Sequence, residues 1–308
     1  LQGLNGIVPP LVTPLTLDMQ LDVSGFEKLI NHVIDGGVHG IFVLGTTGEL
    51  SRLSYDLRKS VIEHACRIAN KRVPVLVGVT DTSIDETIRL EKIAHECGAE
   101  AVVVAPPFYY HVEQDELLSY FEELASAMDL PIYLYNMPAR TKIHISIDTV
   151  LKASEIEGVI GLKDSSGDFF YLQELLFKLK GKKDFKVFVG PEEIMAQCVL
   201  TGCDGGVNGG ANIFPELFVE LYEAAAAGDF QLVKLLQDQV THLSTALYKV
   251  GGKQANFIKI LKEALHQKGI CGPQMAKPYI PMHESERQEV KRVLKSLALS
   301  ATEIKHNL

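Results

Sequence analysis

The chain alternates between short apolar runs and longer segments in which apolar residues recur with the period of an α-helix. The short runs are rich in Val and Ile, and residues 101–105 are apolar throughout, which is typical of a strand buried on both faces. We predict eight strands, at residues 6–13, 39–45, 73–79, 100–106, 131–136, 158–163, 185–190 and 203–208. Eight strands that alternate with helices favour an α/β fold of the (β/α)8 TIM barrel type.

The pattern changes after the eighth strand, where only helical periodicity continues. Helices are predicted at 214–228, 230–248, 254–268 and 284–298, with breaks at 251–252 and 273–281. We therefore expect a catalytic barrel over residues 1–225 and a C-terminal helical extension over 226–308. An open doubly wound sheet shows the same alternation, but no Gly-x-Gly-x-x-Gly turn follows the first predicted strand.

Composition narrows the possible partners of this 308-residue chain. Hydrophobic residues make up 46% and charged residues 22%, as in ordinary globular proteins. The net charge of −9, without a basic stripe, argues against nucleic acid. The apolar runs are shorter than the roughly 20 residues that a membrane helix needs, and no signal-peptide pattern is seen, so we expect a cytoplasmic protein with no membrane partner.

The cysteines and histidines show no pattern of a metal site or disulfide framework. The five cysteines lack a Cys-x-x-Cys pair, and the ten histidines are scattered without ligand spacing. We therefore predict reduced cysteines and no metal.

Polar or glycine-rich motifs follow five of the predicted strands, at the end of the barrel where active sites of this fold are built. Packing alone explains one such motif more easily than five. The motifs are Gly-Thr-Thr-Gly-Glu at 45–49, Pro-Pro-Phe-Tyr-Tyr at 106–110, Tyr-Asn-Met-Pro-Ala-Arg-Thr at 135–141, Gly-Leu-Lys-Asp-Ser-Ser-Gly-Asp at 161–168 and Gly-Gly-Val-Asn-Gly-Gly-Ala-Asn at 205–212.

Lys163 is the candidate nucleophile among these residues. Alternation along its strand directs the side chain into the barrel mouth, where partial desolvation favours the neutral amine that attacks carbonyl groups. The alternative is a lysine that extends from the strand end to solvent. Tyr135 ends the neighbouring strand, and its phenol can relay protons, although a core tyrosine with a satisfied hydroxyl gives the same pattern.

Two further features suggest carboxylate binding. Thr46 and Thr47 offer hydroxyl groups on a backbone flanked by glycines, which suits an anion cradle. Arg140 is the only arginine in the strand-end motifs, and a guanidinium there can hold a carboxylate in bidentate fashion. The ordinary position of an arginine is nevertheless the solvated surface.

In the order and spacing of these motifs, the chain resembles the dihydrodipicolinate synthase and N-acetylneuraminate lyase superfamily of Schiff-base aldolases. The similarity extends into the C-terminal helices, where Lys-Pro-Tyr-Ile-Pro-Met at 277–282 is similar to the connector of the family. The resemblance implies a lyase that uses pyruvate or a related 2-oxo acid and needs no cofactor beyond its lysine imine. It also implies a homo-oligomer, a dimer or more often a homotetramer.

The resemblance also implies roles for individual residues. Lys163 forms the imine with the keto acid, and Tyr135 transfers protons beside it. Thr46 and Thr47 bind the pyruvate carboxylate and support the relay. The remaining matches are Tyr110, which completes the relay from a neighbouring subunit, Arg140, which binds the carboxylate of the second substrate, and Val207 and Asn208, whose backbone lies near the keto acid.

The second substrate is the more open question. Arg140 favours a synthase-like condensation of pyruvate with an acidic aldehyde such as aspartate semialdehyde. The Lys-Asp-Ser-Ser-Gly sequence at 163–167 instead resembles N-acetylneuraminate lyases and 2-keto-3-deoxy sugar acid aldolases or dehydratases. Leu50 and Tyr55 stand where lysine-inhibited synthases have Ser and His, so we expect lysine to be a poor inhibitor.

The sequence is also compatible with two other classes of protein. A non-enzymatic sensor of keto acids would keep the threonines and Arg140 but would not need Lys163 and Tyr135 together. A phosphate-binding barrel enzyme such as a phosphosugar isomerase would bind its anion near the eighth strand, where the paired glycines at 205–206 and 209–210 are compatible with such a site.

Overall fold

The structure is a computed structural model that describes residues 3–252 and 257–307, with side chains described as far as residue 297. The first residues of the helix predicted at 254–268 lie outside the described residues. Within the described ranges, no helix combines the length and apolar character that crossing a bilayer requires.

Eight parallel strands form one sheet. They are β1 (Gly6–Ile7), β2 (Ile41–Val43), β3 (Val75–Gly78), β4 (Ala101–Val104), β5 (Ile132–Asn136), β6 (Val159–Asp164), β7 (Lys186–Val189) and β8 (Gly205–Gly206). Neighbours in the sheet follow chain order from β2 to β8, and β1 pairs with β8. The predicted eight-stranded α/β fold is therefore confirmed.

The sheet closes between β1 and β2. The Leu11 N–H donates to the Phe42 carbonyl at 2.8 Å, and the Phe42 N–H donates to the Pro9 carbonyl at 3.0 Å. A parallel bridge between Pro10 and Phe42 completes the TIM barrel. Because Pro9 and Pro10 have no N–H to donate, regular pairing in β1 ends early, and the strand is shorter than the predicted 6–13.

Twelve α-helices connect or follow the strands in the described residues. They are α1 (Val23–Asp35), α2 (Tyr55–Ala69), α3 (Ile84–Glu96), α4 (Gln114–Ala127), α5 (Pro138–Thr141), α6 (Ile147–Ala153), α7 (Phe169–Lys178), α8 (Met195–Leu200), α9 (Pro215–Ala227), α10 (Phe230–His242), α11 (Phe257–Gln267) and α12 (Glu284–Asn307). A π-helical turn at Leu243–Leu247 continues α10. Beyond α9 the chain is helical as predicted, whereas the domain boundary at 225/226 stays a prediction.

Local sequence explains where the helices begin. Ser54 caps α2, as its hydroxyl accepts a hydrogen bond from the Leu57 N–H at 3.3 Å. Asp168 caps α7 in the same way through the Tyr171 N–H at 3.0 Å. Asp168 at the barrel mouth is therefore accounted for by helix capping.

The apolar side chains form two layers. The larger cluster lies between the outer faces of the strands and the helices. The smaller one fills the barrel interior and includes Phe42, Val103, Tyr133, Tyr135 and Phe188. Strand alternation produces this division, because successive side chains point to opposite faces of the sheet.

Candidate active site

Lys163 lies inside the barrel near the carboxyl end of β6. It is opposite Tyr135 of β5 and Phe188 of β7 in the strand register, and only 6% of its surface is exposed. Its Nζ lies 4.1 Å from the centre of the Tyr135 ring and 5.2 Å from that of Phe42. The ammonium group is thus held against aromatic faces rather than extended into solvent.

Glycine at position 161, two residues before Lys163, makes room for this arrangement. A Cβ at Gly161 would overlap the Tyr133 ring and the Lys186 carbonyl. Since Tyr133 is fully buried in the barrel interior, the ring fills the space below the lysine and closes the floor of the site.

Tyr135 is a titratable neighbour of Lys163. Its phenol oxygen lies 3.3 Å from the Thr46 hydroxyl. Burial on its own raises the pKa of Tyr135, but the positive charge of Lys163 and hydrogen bonds with Thr46, Ser165 and Lys163 outweigh it, so that the pKa is lowered. A phenol that gives up its proton more readily and lies beside an amine is suited to proton transfer.

The residues on either side of Lys163 and Tyr135 hold the two strands together. Asp164 accepts hydrogen bonds from the Asn136 amide at 2.7 Å and from the Ser166 hydroxyl at 2.9 Å. The Asn136 side-chain oxygen in turn accepts the Ile145 N–H at 3.1 Å. These buried contacts explain the Tyr-Asn and Lys-Asp pairs in the sequence, because the second residue of each pair positions the first.

The Gly-Thr-Thr-Gly-Glu motif forms a compact turn after β2. Leu44, just before the motif, and Glu49, its last residue, adopt left-handed backbone conformations, with φ of 57° and 61°. The Thr13 hydroxyl donates to the Gly48 carbonyl at 2.7 Å and fastens the turn to the segment that follows β1. The turn places Thr46 beside the Tyr135 hydroxyl and leaves Thr47 nearly buried.

An open cavity of about 290 Å³ lies above Lys163. A second lobe of about 250 Å³ adjoins it and shares Thr46, Tyr135, Met137, Arg140, Ile258 and Tyr279 with it. Together the lobes offer space for two small molecules side by side, one against Lys163 and one towards Arg52, with Arg140 lining both lobes.

The C-terminal helical region lines part of the cavity through Ile258 and Tyr279, and a buried ion pair fastens it to the barrel. Glu49 Oε1 lies 2.6 Å from Nζ of Lys262 in α11, and both side chains are almost fully buried. The other Glu49 oxygen accepts the Ala276 N–H at 2.9 Å. The Arg52 guanidinium stacks on the Tyr279 ring at 3.5 Å from its centre. The loop after α11 is thus fastened to the turn that carries the two threonines.

The structure brings most of the predicted site residues together and separates two from them. The residues that line the cavity are Lys163, Tyr135, Thr46, Thr47, Arg140 and Val207. Asn208 is fully buried and does not line it, since its amide donates instead to the Gly190 carbonyl at 2.9 Å. Tyr110 is 80% exposed and also lies outside the cavity lining in this protomer.

The residues of the cavity wall that sequence reasoning missed include Arg52, Glu192 and Tyr279. Glu192 is 5% exposed, and one of its oxygens accepts the Gly210 N–H at 2.9 Å. Burial is the main reason why the pKa of Glu192 is raised to about 7. The Pro-Glu-Glu sequence that follows β7 could have identified Glu192, because it is a polar strand-end motif like the five motifs described above.

Comparisons with known proteins agree with this fold. The profile of the Dihydrodipicolinate synthetase family matches residues 3–297. The chain is 48% identical to a dihydrodipicolinate synthase of Bacteroides thetaiotaomicron of known structure, covering 95% of this chain and 98% of that one, with a TM-score of 0.93.

Two further relatives carry different names. The chain is 32% identical to YagE of Escherichia coli, described as a putative 2-dehydro-3-deoxy-D-gluconate aldolase. The structure of YagE in complex with pyruvate matches this structure with a TM-score of 0.90, over 96% of this chain and 99% of that one. The chain is 31% identical to a 4-hydroxy-tetrahydrodipicolinate synthase of Phenylobacterium zucineum, over 96% of this chain and 98% of the relative.

The fold is a TIM barrel with a lysine packed against aromatic rings at its mouth, and its relatives are synthases and aldolases. These features define a lyase enzyme. The chain belongs to the dihydrodipicolinate synthetase family. The expected family and enzyme class are thus confirmed, whereas the relatives differ in the substrate that their names give.

Proposed function

We propose that this enzyme is a Schiff-base aldolase that joins pyruvate to an acidic aldehyde through an imine on Lys163. The observation that carries the proposal is the placement of the buried Lys163 amine against Tyr135, whose hydroxyl lies 3.3 Å from Thr46. An amine held among aromatic rings beside a proton-relaying phenol is the arrangement that imine formation needs.

The proposed reaction follows from elementary carbonyl chemistry. The neutral amine of Lys163 attacks the C2 carbonyl of pyruvate, and loss of water from the carbinolamine gives the imine. The protonated imine nitrogen then accepts the electron pair left when the C3 methyl group loses a proton, so the product is an enamine rather than a bare carbanion. Tyr135 and Thr46 carry the protons in these steps, and the chemistry needs no metal or organic cofactor.

The enamine carbon then attacks the carbonyl carbon of the aldehyde, and hydrolysis of the new imine releases the product and restores Lys163. Thr46 and Thr47 hold the pyruvate carboxylate at the turn after β2, while the aldehyde occupies the adjoining lobe. Two arginines, Arg52 and Arg140, line that lobe, which favours a second substrate with a negative charge. An acidic aldehyde such as aspartate semialdehyde fits this requirement.

The second candidate is cleavage of a 2-keto-3-deoxy sugar acid. It is favoured by the Lys-Asp-Ser-Ser sequence and by the name of the YagE relative. The same lysine chemistry run in reverse would release pyruvate from such a compound, and an N-acetylneuraminate lyase-like reaction belongs to this group.

The proposal includes a homo-oligomer, a dimer or tetramer. Tyr109 and Tyr110 form an exposed edge-to-face pair, with ring centres 5.1 Å apart, outside the cavity of their own protomer. Large exposed aromatic residues of this kind are characteristic of subunit interfaces. Tyr110 would then complete the proton relay of a neighbouring subunit.

Steady-state kinetics distinguish the two candidate reactions. Pyruvate consumption is measured with aspartate semialdehyde, and pyruvate release with 2-dehydro-3-deoxy-gluconate and N-acetylneuraminate. We expect condensation with the semialdehyde to be the most efficient reaction. Release of pyruvate from a sugar acid, with no consumption in the presence of the semialdehyde, would instead establish the second candidate.

The role of Arg140 is tested by Arg140→Met, with Lys142→Met as the matched control. Lys142 is a nearby cation whose backbone N–H caps α5 and whose side-chain nitrogen donates to the Ala139 carbonyl at 3.2 Å. Loss of a bidentate carboxylate contact should raise the KM for the aldehyde about tenfold or more and leave the KM for pyruvate nearly unchanged. An unchanged KM for the aldehyde would remove Arg140 from the binding site.

A further inference from the structure

A cluster of three potential metal ligands lies at the opposite end of the barrel from Lys163. Glu91 and His95 are four residues apart on the last two turns of α3 and therefore share one face of that helix. Asp129 lies in the connection between α4 and β5, just before the strand begins. The ligand atoms of the three residues all lie within 4.8 Å of one another.

The two carboxylate oxygens of Glu91 differ in their hydrogen bonding. The residue is fully buried, and its Oε1 accepts the N–H groups of Asp129 at 3.0 Å and Leu130 at 2.9 Å. Its Oε2 is buried as well but has no hydrogen-bond partner in the described part of the chain. An unpaired buried carboxylate oxygen is destabilising unless a cation or a donor reaches it.

The other two residues, His95 and Asp129, form the exposed part of the cluster. His95 Nδ1 lies 3.4 Å from the Asp129 Oδ2, and their side chains are 53% and 72% exposed. Ligand atoms around a tetrahedral zinc ion, each at about 2.0–2.2 Å from the metal, lie roughly 3.4 Å apart. The His95–Asp129 separation already matches this spacing, and both exposed side chains are free to adjust around an ion.

We propose that Glu91, His95 and Asp129 form a binding site for a divalent transition-metal ion, with zinc as the best match to one imidazole nitrogen and two carboxylate oxygens. Glu91 Oε2, His95 and Asp129 supply three ligands, and water completes the coordination. Imidazole selects against magnesium and calcium, which prefer oxygen ligands alone. The bound ion joins the end of α3 to the connection before β5 and has no part in the chemistry at the barrel mouth.

Equilibrium dialysis of the chelator-treated full-length protein against zinc chloride tests the site, with magnesium chloride as the comparison. Binding is measured for the wild type, for His95→Gln and for Asp129→Asn. The matched control is His242→Gln, because His242 is likewise an exposed histidine in the last turn of a helix. Circular dichroism shows that each variant is folded.

We expect one zinc ion per chain in the wild type and in the His242 control. Loss of even an outer partner of a metal ligand weakens binding about 10–100-fold, so each ligand variant should weaken zinc binding at least tenfold. Lys163→Ala should bind zinc like the wild type. The proposal is overturned if the wild type binds no zinc, or if the His95 and Asp129 variants bind it as tightly as the control does.

Discussion

Replacement of Glu49 by Gln tests the buried ion pair that fastens the C-terminal helical region to the barrel. Gln keeps the size of the side chain and an oxygen for the Ala276 N–H, but it removes the negative charge 2.6 Å from Lys262. Lys262 would keep only the Gln274 carbonyl as a partner, at 2.6 Å. The variant therefore leaves a buried ammonium without a counter-charge.

The expected cost follows from the burial of both groups. Their side chains are 1% and 0% exposed, and burial already lowers the pKa of Lys262 although Glu49 opposes the shift. Removing one partner of such a pair typically costs about 3–5 kcal/mol of unfolding free energy. Because Lys262 can escape part of the penalty by losing its proton, we expect Glu49→Gln to lie near the lower end, at about 3 kcal/mol.

Urea unfolding followed by circular dichroism measures this change, since the chain contains no tryptophan. All variants are compared at one protein concentration, because subunit association contributes to apparent stability. The double variant Glu49→Gln/Lys262→Met removes the unpaired charge and should recover much of the loss.

The matched control for the ion pair is Glu63→Gln, which breaks the exposed Lys59–Glu63 pair in α2. An exposed pair of this kind contributes about 0–1 kcal/mol. A loss in Glu49→Gln no larger than in the control, or a double variant as unstable as the sum of its single changes, would refute the reasoning about a buried charge.

Three further predictions concern the site. Tyr135→Phe removes the phenol that carries protons, so kcat should fall about 10²–10⁴-fold while the protein stays folded, as measured by steady-state kinetics and circular dichroism. Glu192 keeps its proton in the native state up to about pH 7, whereas the unfolded chain loses it near 4.5. The contribution of Glu192 to stability is therefore present at low pH and lost as the pH rises towards 7. The difference in unfolding free energy between wild type and Glu192→Gln should shift by about 3 kcal/mol between pH 4 and pH 8. A difference that stays constant over this range would contradict the prediction. With Leu50 and Tyr55 in place of Ser and His, lysine should inhibit poorly, and a micromolar inhibition constant in the same kinetic assay would contradict that expectation.

The fold could be predicted because the same physical signal recurs along the chain. Buried parallel strands are continuous apolar runs, and the helices between them carry apolar residues on one face. Strand ends were less predictable, since pairing depends on partners distant in sequence. The predicted strand at 203–208 shortens to Gly205–Gly206, although the Asp204 N–H still donates to the Val187 carbonyl and the Val207 N–H to the Val189 carbonyl.

The candidate site was predictable where strand alternation determines the direction of a side chain. This holds for Lys163 and Tyr135, whose strands put both inside the barrel. The side chain of Asn208, which follows the end of β8, turns towards Gly190, and the predicted role of its backbone stays a prediction.

Contacts between distant parts of the chain could not be predicted from the sequence around each residue. The Glu49–Lys262 pair joins the turn after β2 to α11, and nothing near either residue in the sequence indicates the other. The same holds for the proposed zinc site, which sequence spacing did not suggest. Glu91 and His95 share a helix face, but Asp129 reaches them only because α3 and the connection before β5 meet at the base of the barrel.

The most direct test of the proposed lysine chemistry is the intact mass of the protein after incubation with pyruvate and sodium borohydride, with Lys163→Ala alongside. Borohydride reduces an imine to a stable amine, and one reduced pyruvate adduct adds about 72 Da. We expect one adduct per chain in the wild type and none in Lys163→Ala. An unmodified wild-type chain, or an adduct that persists in Lys163→Ala, would contradict the assignment of Lys163 as the imine-forming residue for pyruvate.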